Sequence, residues 1–505
     1  MKRFRSYRHE AELMLLPPSL NEWVPPDHEI HFIREAVDKL DLSAITEAYA
    51  DGGGNPPYDP KLMVRILFFA YARGVRSSRR IERMLRENVA MRVLACNEQP
   101  DHWTISNFRK RHLEALGELF VQTVLLAKLA GLVKLGHVAI DGTKVKANAS
   151  KHSAMSYGHM RQEADRLRQV IGGHLRQAIA EDEEEDRQLG RRRGDELPEA
   201  LADAVQRRAV IERAMAVLEQ AARRGEVKVV RREPAAEALG AGDSGRVPCS
   251  TESDEPSSSE RAGEAGEGPG ARALPLCLGV EESPRSEGGG GEGGGCTGAP
   301  ATGPEAEVRP DDKAQYNFTD PDSRIMPTSA KAFDQCYNAQ AAVDAATQVI
   351  VAAELSNKVA DGPHLLPLVE QAAANTGWLP AEVSADAAYY SSDRVQALEE
   401  REIDPFIPPE KIRHGPWRRQ PPPRGRPPRN LDTRGRMRRK LRTRHGRERY
   451  QLRQQTVEPV FGQIKWARGL QQFLLRGLPA ARACWRFECA VHNVLKMWRL
   501  GAVWS

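Results

Sequence analysis

Residues 136–143 read GHVAIDGT, an apolar run that closes on an acid, Asp141, with a glycine directly behind it. The run is short, and its Val and Ile favour a strand over Gly136–Asp141, while Gly142 permits close backbone approach beside the acid. Downstream, 381–390 read AEVSADAAYY, a second short strand that ends on Asp386. Between the two, Ala341–Val343 and Gln348–Ala353 flank an Asp-Ala-Ala turn and predict a β hairpin. Asp361–Ala374 carries Leu365, Leu368, Val369 and Ala372 at helical spacing, closed by Trp378-Leu379-Pro380. Tyr450–Trp466 and Ala480–Trp498 read as two further helices, the first bearing Glu458. Strand with acid, insertion, hairpin, helix, strand with acid, basic segment and helix with acid is an α/β order. It describes a mixed sheet flanked by helices, which delivers acids from distant positions to one edge.

Upstream of this core, residues 1–130 are helical in pattern. Asp59 is placed to cap, and Pro60 to open, a helix over Lys61–Tyr71. Arg79–Leu94 continues as an apolar stripe, and a short helix is expected from Thr104, carrying Arg109, Lys110 and Arg111. Downstream of Asp141, residues 158–222 predict a hairpin of two charged helices. One carries Leu167, Val170, Leu175 and Ile179, the other Leu201, Val205, Ile211, Met215 and Leu218, and each stripe alone would leave apolar surface in water. Residues 235–312 contain SSSE, PGAR and GGGGEGGG, cannot easily offset the entropy of ordering, and are expected to lack stable structure.

The 505 residues carry a formal charge of +5, which is unevenly spread. Between 411 and 449 there are sixteen Lys or Arg and two acids, enough to neutralise several phosphates and supply salt-sensitive, sequence-independent affinity for nucleic acid. The seven cysteines form no CxxC pair and no zinc-spaced cluster, which fits a reducing cytoplasm. MKRFRSYRHE has a basic start without an apolar core behind it, so a secretory signal is not expected. Apolar stretches such as Phe120–Val133 are too short for a membrane span.

Three converging carboxylates would repel one another, and a hard cation such as Mg²⁺ or Mn²⁺ is the usual reason to keep them ionised. Two such ions can activate an attacking oxygen and stabilise a leaving one in phosphodiester displacement. Spacing alone does not decide this, because a strand-end aspartate is more often a turn or a cap than a ligand. Glu458 and Lys465 are seven residues apart and share a face if their helix is continuous.

Longer motifs decide it. YDPKLMVRILFFAYARGVRSSRRIE (58–82) and PDHWTISNFRKRH (100–112) resemble the helical DNA-binding region of a DDE transposase of the IS1182 group, related to the IS4 and IS5 elements. IDGTKVKANASKHSAMSY (140–157) is similar to its first-aspartate motif and ADAAYYSSD (385–393) to its second. YNFTDPDSRIM (316–326) and FDQCYNAQAAVDAATQVIVAAEL (333–355) resemble the segment leading into the central strands, and TVEPVFGQIKWARGLQQFLLRG (456–477) the acidic helix. The resemblance implies a ribonuclease H-like fold with Asp141, Asp386 and Glu458 as catalytic acids and ligands of two Mg²⁺ or Mn²⁺ ions. It implies that Lys465 contacts DNA phosphates. Tyr450 and Arg453 match the Tyr/Arg/Glu/Lys signature of the wider class, although four residues here separate Arg from Glu where the tighter form has three. Ala387-Ala388 also stand where a glycine often follows the second acid.

The implied partners are double-stranded DNA with terminal inverted repeats and target DNA, engaged by a homodimer at the synapse, in the bacterial cytoplasm at the nucleoid. Arg109 and Arg111 are expected to read element ends, and Arg438, Arg439, Lys440 and Arg453 to hold DNA. The expected division is a helical DNA-binding region (1–130), the first part of the core (131–157), a helical insertion (158–234) and a low-complexity stretch (235–312). The second part of the core (313–410), a basic DNA-contacting segment (411–449) and the acidic and final helices (450–505) follow. The low-complexity stretch is either a tolerated loop insertion or the mark of a decayed, inactive copy. Two other functions stay open, a DNA-binding regulator without chemistry and a metal-dependent nuclease that never joins.

Overall fold

The computed structural model describes residues 22, 24–49, 57–189, 199–227, 229–231, 308–328, 332–411, 421–426, 428 and 430–504. Most of the 235–312 stretch, with Cys249, Cys277 and Cys296, therefore lies outside the described residues. At its far end the expectation is corrected, because Val308–Pro310 is a strand.

Seven helices precede the sheet: α1 (Glu29–Asp38), α2 (Ser43–Thr46), α3 (Pro60–Ala72), α4 (Ser78–Glu87), α5 (Val89–Leu94), α6 (His102–Arg111) and α7 (Leu113–Leu129). Asp59 caps α3 by accepting from the Lys61 amide at 2.7 Å, with Pro60 in the first turn, as its sequence predicts. The single stripe expected over Arg79–Leu94 is two helices, because Asn88 is extended (φ −101°, ψ 115°) and caps α5 through the Met91 amide at 2.8 Å. Helix α6 starts at His102 rather than Thr104, because Asp101 accepts from the Thr104 amide at 2.7 Å.

The core sheet is built from β1 (Val138–Lys146), then, after the insertion, β6 (Arg324–Pro327), β7 (Phe333–Asp344), β8 (Ile350–Ser356), β9 (Glu382–Ser384) and β10 (Asp404–Phe406). Its order is β8-β7-β1-β9-β10, with β6 extending the β8 edge of β7. The β1/β7 and β7/β8 pairs are antiparallel, and β9 and β10 run parallel to β1. An antiparallel meander continued by parallel strands beyond its first member is the ribonuclease H-like arrangement expected. Strand β1 does not end on Asp141 as the sequence suggests; it continues to Lys146, paired throughout with β7. Strand β7 is buried from Gln335 to Asp344, which explains why its alternation is weak in the sequence.

Helices α10 (Leu365–Thr376), α11 (Ser392–Glu400), α12 (Thr433–Arg442), α13 (Arg444–Gly462) and α14 (Leu478–Arg499) complete the core. Helix α14 packs on α7 and β8, and α13 lies along β1. Trp485 of α14 is fully buried and donates from its indole to the Gln340 carbonyl at 3.1 Å. The helical region is seated on α14 through charge. Arg76 pairs through Nε with Glu488, whose side chain is 1% exposed, and donates from Nη1 to the Arg468 carbonyl at 2.7 Å. Gly74 makes this approach possible: its φ is +71°, and a Cβ there would stand 2.6 Å from the Arg468 carbonyl oxygen.

The insertion is a pair of helices, α8 (Tyr157–Leu189) and α9 (Glu199–Arg223), with a core of its own formed by residues such as Tyr157, Met160, Leu167, Ile171, Ile211 and Leu218. Leu175 and Val205, expected in that stripe, are instead 46% and 48% exposed. Two small antiparallel pairs hold the insertion's ends: β2 (Ala154–Ser156) with β5 (Gln315–Asn317), and β3 (Val229–Arg231) with β4 (Val308–Pro310). Among the described residues no helix is long and apolar enough to cross a membrane. Cys96, Cys336, Cys484 and Cys489 are free.

Candidate active site

Strand pairing brings the two aspartates level. Val138 of β1 is registered against Val383 of β9, in parallel, and Asp141 and Asp386 each lie three residues further on. Asp386 stands just beyond β9 and caps the next turn by accepting from the Ala388 amide at 2.8 Å. The third acid arrives from α13. Arg453 of that helix donates from Nη1 to Asp141 Oδ2 at 2.7 Å, and its Nη2 lies 3.9 Å from Glu458 Oε1. The guanidinium thus stands between two of the three acids, with its Cζ 5.9 Å from the centre of the Tyr450 ring.

The electrostatics follow from burial. Asp141 has a side chain 18% exposed, and desolvation pushes its carboxyl up to about 6, helped by the charges of Asp386 and Asp361 and opposed by Arg453 and the Gly142 amide. Burial pulls Arg453 down, but Asp141, Tyr450, Asp386 and Glu458 outweigh it and hold the guanidinium above its ordinary value. Burial also raises the phenols of Tyr389 and Tyr450, with Asp141 and Asp386 adding to both. Glu458, 55% exposed, faces solvent.

Lys465 lies in a π-helical turn, Gln463–Ala467, that continues α13, so the helix is not a continuous α-helix between Glu458 and Lys465. Its ammonium donates to Thr143 Oγ1 and to the Lys144 carbonyl, both at 2.9 Å, and burial lowers its pKa. Glu458 and Lys465 therefore both lie along β1, one beside Asp141 through Arg453 and the other two to three residues beyond.

A polar network that sequence reasoning misses underlies the aspartates. Asp361 Oδ1 accepts from Asn338 Nδ2 at 2.7 Å, Gln340 Nε2 at 2.8 Å and Lys144 Nζ at 2.9 Å. Gln340 in turn accepts from the Tyr389 hydroxyl, which belongs to the turn opened by Asp386. The turn carrying the second acid is thereby tied to the strand beside the first. Gly142 has the role its sequence suggests, because a Cβ there would meet Gln340 Nε2 at 2.3 Å. Asn338 and Gln340 are polar residues on one face of the buried part of β7, and that is the available signal: buried amides require partners.

The other expected DNA contacts are occupied within the fold. Arg109 donates to the Arg76 carbonyl and to Ser78 Oγ, the latter at 2.9 Å, and Arg111 to the Ala48 carbonyl while lying 4.7 Å over the Tyr49 ring. Arg438 pairs with Glu410, Arg439 donates to the Gly425 carbonyl at 2.7 Å, and Lys440 pairs with Asp404 and lies 4.0 Å over the Phe406 ring. These three residues sit on α12, a compact element within a segment whose residues 412–420, 427 and 429 lie outside the described residues.

Among the described residues no group of three or more His, Cys, Asp or Glu side chains is placed to hold a metal ion. The donor chemistry nevertheless suits a hard cation. Asp141 and Asp386 are level, the charge of Asp386 raises the cost of ionising Asp141, and the compensating positive charge beside Asp141 is the Arg453 guanidinium.

Comparison with known families matches residues 18–111 to a transposase domain (DUF772) and residues 310–494 to the transposase DDE domain. Asp386 and Glu458 fall inside the second match, while Asp141 falls between the two. Comparison with curated proteins returns no match, and comparison with solved structures returns none.

Proposed function

We propose that this chain, which carries a DDE-type transposase domain, cleaves the ends of a DNA element and joins them to target DNA by phosphodiester transfer. The observation that supports this reading is the register of β1 and β9, which sets Asp141 and Asp386 at one height, with Arg453 reaching from Asp141 toward Glu458. In this reading Asp141, Asp386 and Glu458 would hold two divalent cations, Mg²⁺ or Mn²⁺. Such ions lower the pKa of an attacking water or 3′-hydroxyl and stabilise the leaving oxygen. Arg453 neutralises the acids until DNA is present and then turns to a phosphate, a role suited to its fixed charge and planar donors. Lys465 and Thr143 position the strand next to Asp141. On the motifs at 58–82, 140–157 and 456–477 we assign the chain to the IS1182 group, acting as a homodimer at the synapse on inverted-repeat ends, in the cytoplasm at the nucleoid.

The test is incubation of the purified protein with duplexes carrying the ends of its own element, with and without Mg²⁺ or Mn²⁺, followed by separation of cut and joined products. Products that appear only with the cation support the reading. Equal product in excess chelator overturns it, cutting without joining makes the protein a nuclease, and binding without cutting makes it a regulator or an inactive copy.

A further inference from the structure

The helical pair α8/α9 takes no part in the acid site, yet its foot forms one wall of a groove of about 1020 Å³. Arg224 and Glu226, just past the end of α9, stand on that wall; Lys313 and Arg324 line it from the chain re-entering the core, and Lys358 from the segment after β8. Four cations therefore face one acid. Arg224, Lys313 and Lys358 are exposed, and none makes an ion pair among the described residues. Arg324 is fixed in place, its Nη1 donating to the carbonyls of Pro321 at 2.6 Å and Ser323 at 2.8 Å. The groove also borders the acid site. Val359 lines it, and the Val359 carbonyl accepts at 3.1 Å from Lys144, the lysine that also reaches Asp361 in the network beneath Asp141.

We propose that this groove holds the sugar-phosphate backbone of duplex DNA on its way to or from the acid site, and that the insertion exists to supply its outer wall. The inference rests on the transposase reading above and adds a surface to it. Unpaired ammonium and guanidinium groups beside amides and hydroxyls are the chemistry that binds phosphodiester oxygens. Among the described residues the lining contains no aromatic side chain, which leaves a contact that does not depend on base stacking. A cluster of like charges lining one groove, only partly offset by Glu226, is unfavourable by itself and is relieved by a polyanion.

The test replaces Arg224, Lys313 and Lys358 together by Gln in the full chain. All three are exposed, and a thermal melt confirms that the variant folds. Affinity is measured over a salt series for two duplexes, one carrying the element's end and one of unrelated sequence. The expected result is that both duplexes lose affinity by the same factor, tenfold or more, and that the slope of log affinity against log salt falls by roughly 2 to 3, about 0.9 for each phosphate no longer neutralised. Unchanged affinity and slope on both duplexes overturn the groove. A loss confined to the end duplex also overturns it, because the site then reads sequence. Failure of the wild-type chain to bind either duplex sinks the transposase reading instead, so the two failures are distinct.

Discussion

Arg453 Nη1 stands 2.7 Å from Asp141 Oδ2, and this contact does not suffice to keep the aspartate at its ordinary acidity. Burial prevails, and the carboxyl is pushed from 3.8 up to about 6. Between those two values the folded chain keeps a proton that the unfolded chain has released, so stability falls as pH rises through the window and is lowest above it. Asp141→Asn takes the group out of titration. In metal-free buffer the variant should exceed the wild type by on the order of 3 kcal/mol at about pH 8, with the difference falling below about 1 kcal/mol by about pH 4 and vanishing below the unfolded pKa. Urea melts at both pH values check this; a variant less stable at the higher pH would contradict it.

The three acids should separate chemistry from binding. Asp141→Asn, Asp386→Asn and Glu458→Gln each remove a charge at nearly constant shape, and each is expected to abolish product while DNA affinity stays within about threefold of wild type. If any one of them keeps near-normal turnover, that residue loses its place in the site.

Gly142→Ala tests the network beneath the aspartates. The added methyl meets Gln340 Nε2, which is already committed to Asn338 and Asp361. Overpacking of this kind costs about 1–3 kcal/mol. Tyr389→Phe, which removes only the hydroxyl donated to Gln340, should lower turnover with a much smaller change in melting temperature. Equal thermal losses in the two variants would show that the network serves stability alone.

Glu488 is 1% exposed between Arg76 and Arg468, which lies 3.7 Å away. Glu488→Ala leaves two buried guanidinium groups without their carboxylate and should cost about 3–5 kcal/mol, read by chemical denaturation. A loss under about 1 kcal/mol would mean that water replaces the partner.

The way Arg109 is held within the fold changes what its removal should do. Because it ties α6 to Arg76 and Ser78, Arg109→Ala is expected to lower stability by about 1–3 kcal/mol as well as any discrimination between end and random DNA. Neutralising Arg438, Arg439 and Lys440 should instead weaken both DNAs alike and reduce the salt slope by roughly 0.9 for each phosphate these side chains neutralise. Parallel melts and titrations separate the two cases; a 438–440 variant that loses only specific binding would reverse the assignment.

The sequence made the sheet legible where local pattern and long-range packing agree. The short apolar runs before Asp141 and Asp386 are strands in register, the hairpin around Asp344 is present, and Asp59-Pro60 opens its helix. It hid what depends on contacts between distant residues. Nothing local shows that β1 continues past Asp141, since Gly142-Thr143-Lys144 look like a turn until β7 pairs with them. Asp361 reads as a helix start, and only the fold reveals three donors converging on it. Basic side chains are the hardest to read, because an arginine in a run of charges cannot show whether its donors face solvent or, as in Arg109, a neighbouring carbonyl.

The pairing of Val229–Arg231 with Val308–Pro310 has a consequence for the gene. It sets the two ends of the intervening stretch side by side, and the entropy of closing a chain between fixed ends rises slowly with its length. Codons 232–307 can then gain or lose triplets while Asp141 and Asp386 keep their register. A single-base slip in the same codons, by contrast, leaves the first aspartate translated and removes Asp386 and Glu458 together, so this stretch is where the reading frame, rather than the amino-acid sequence, is under test.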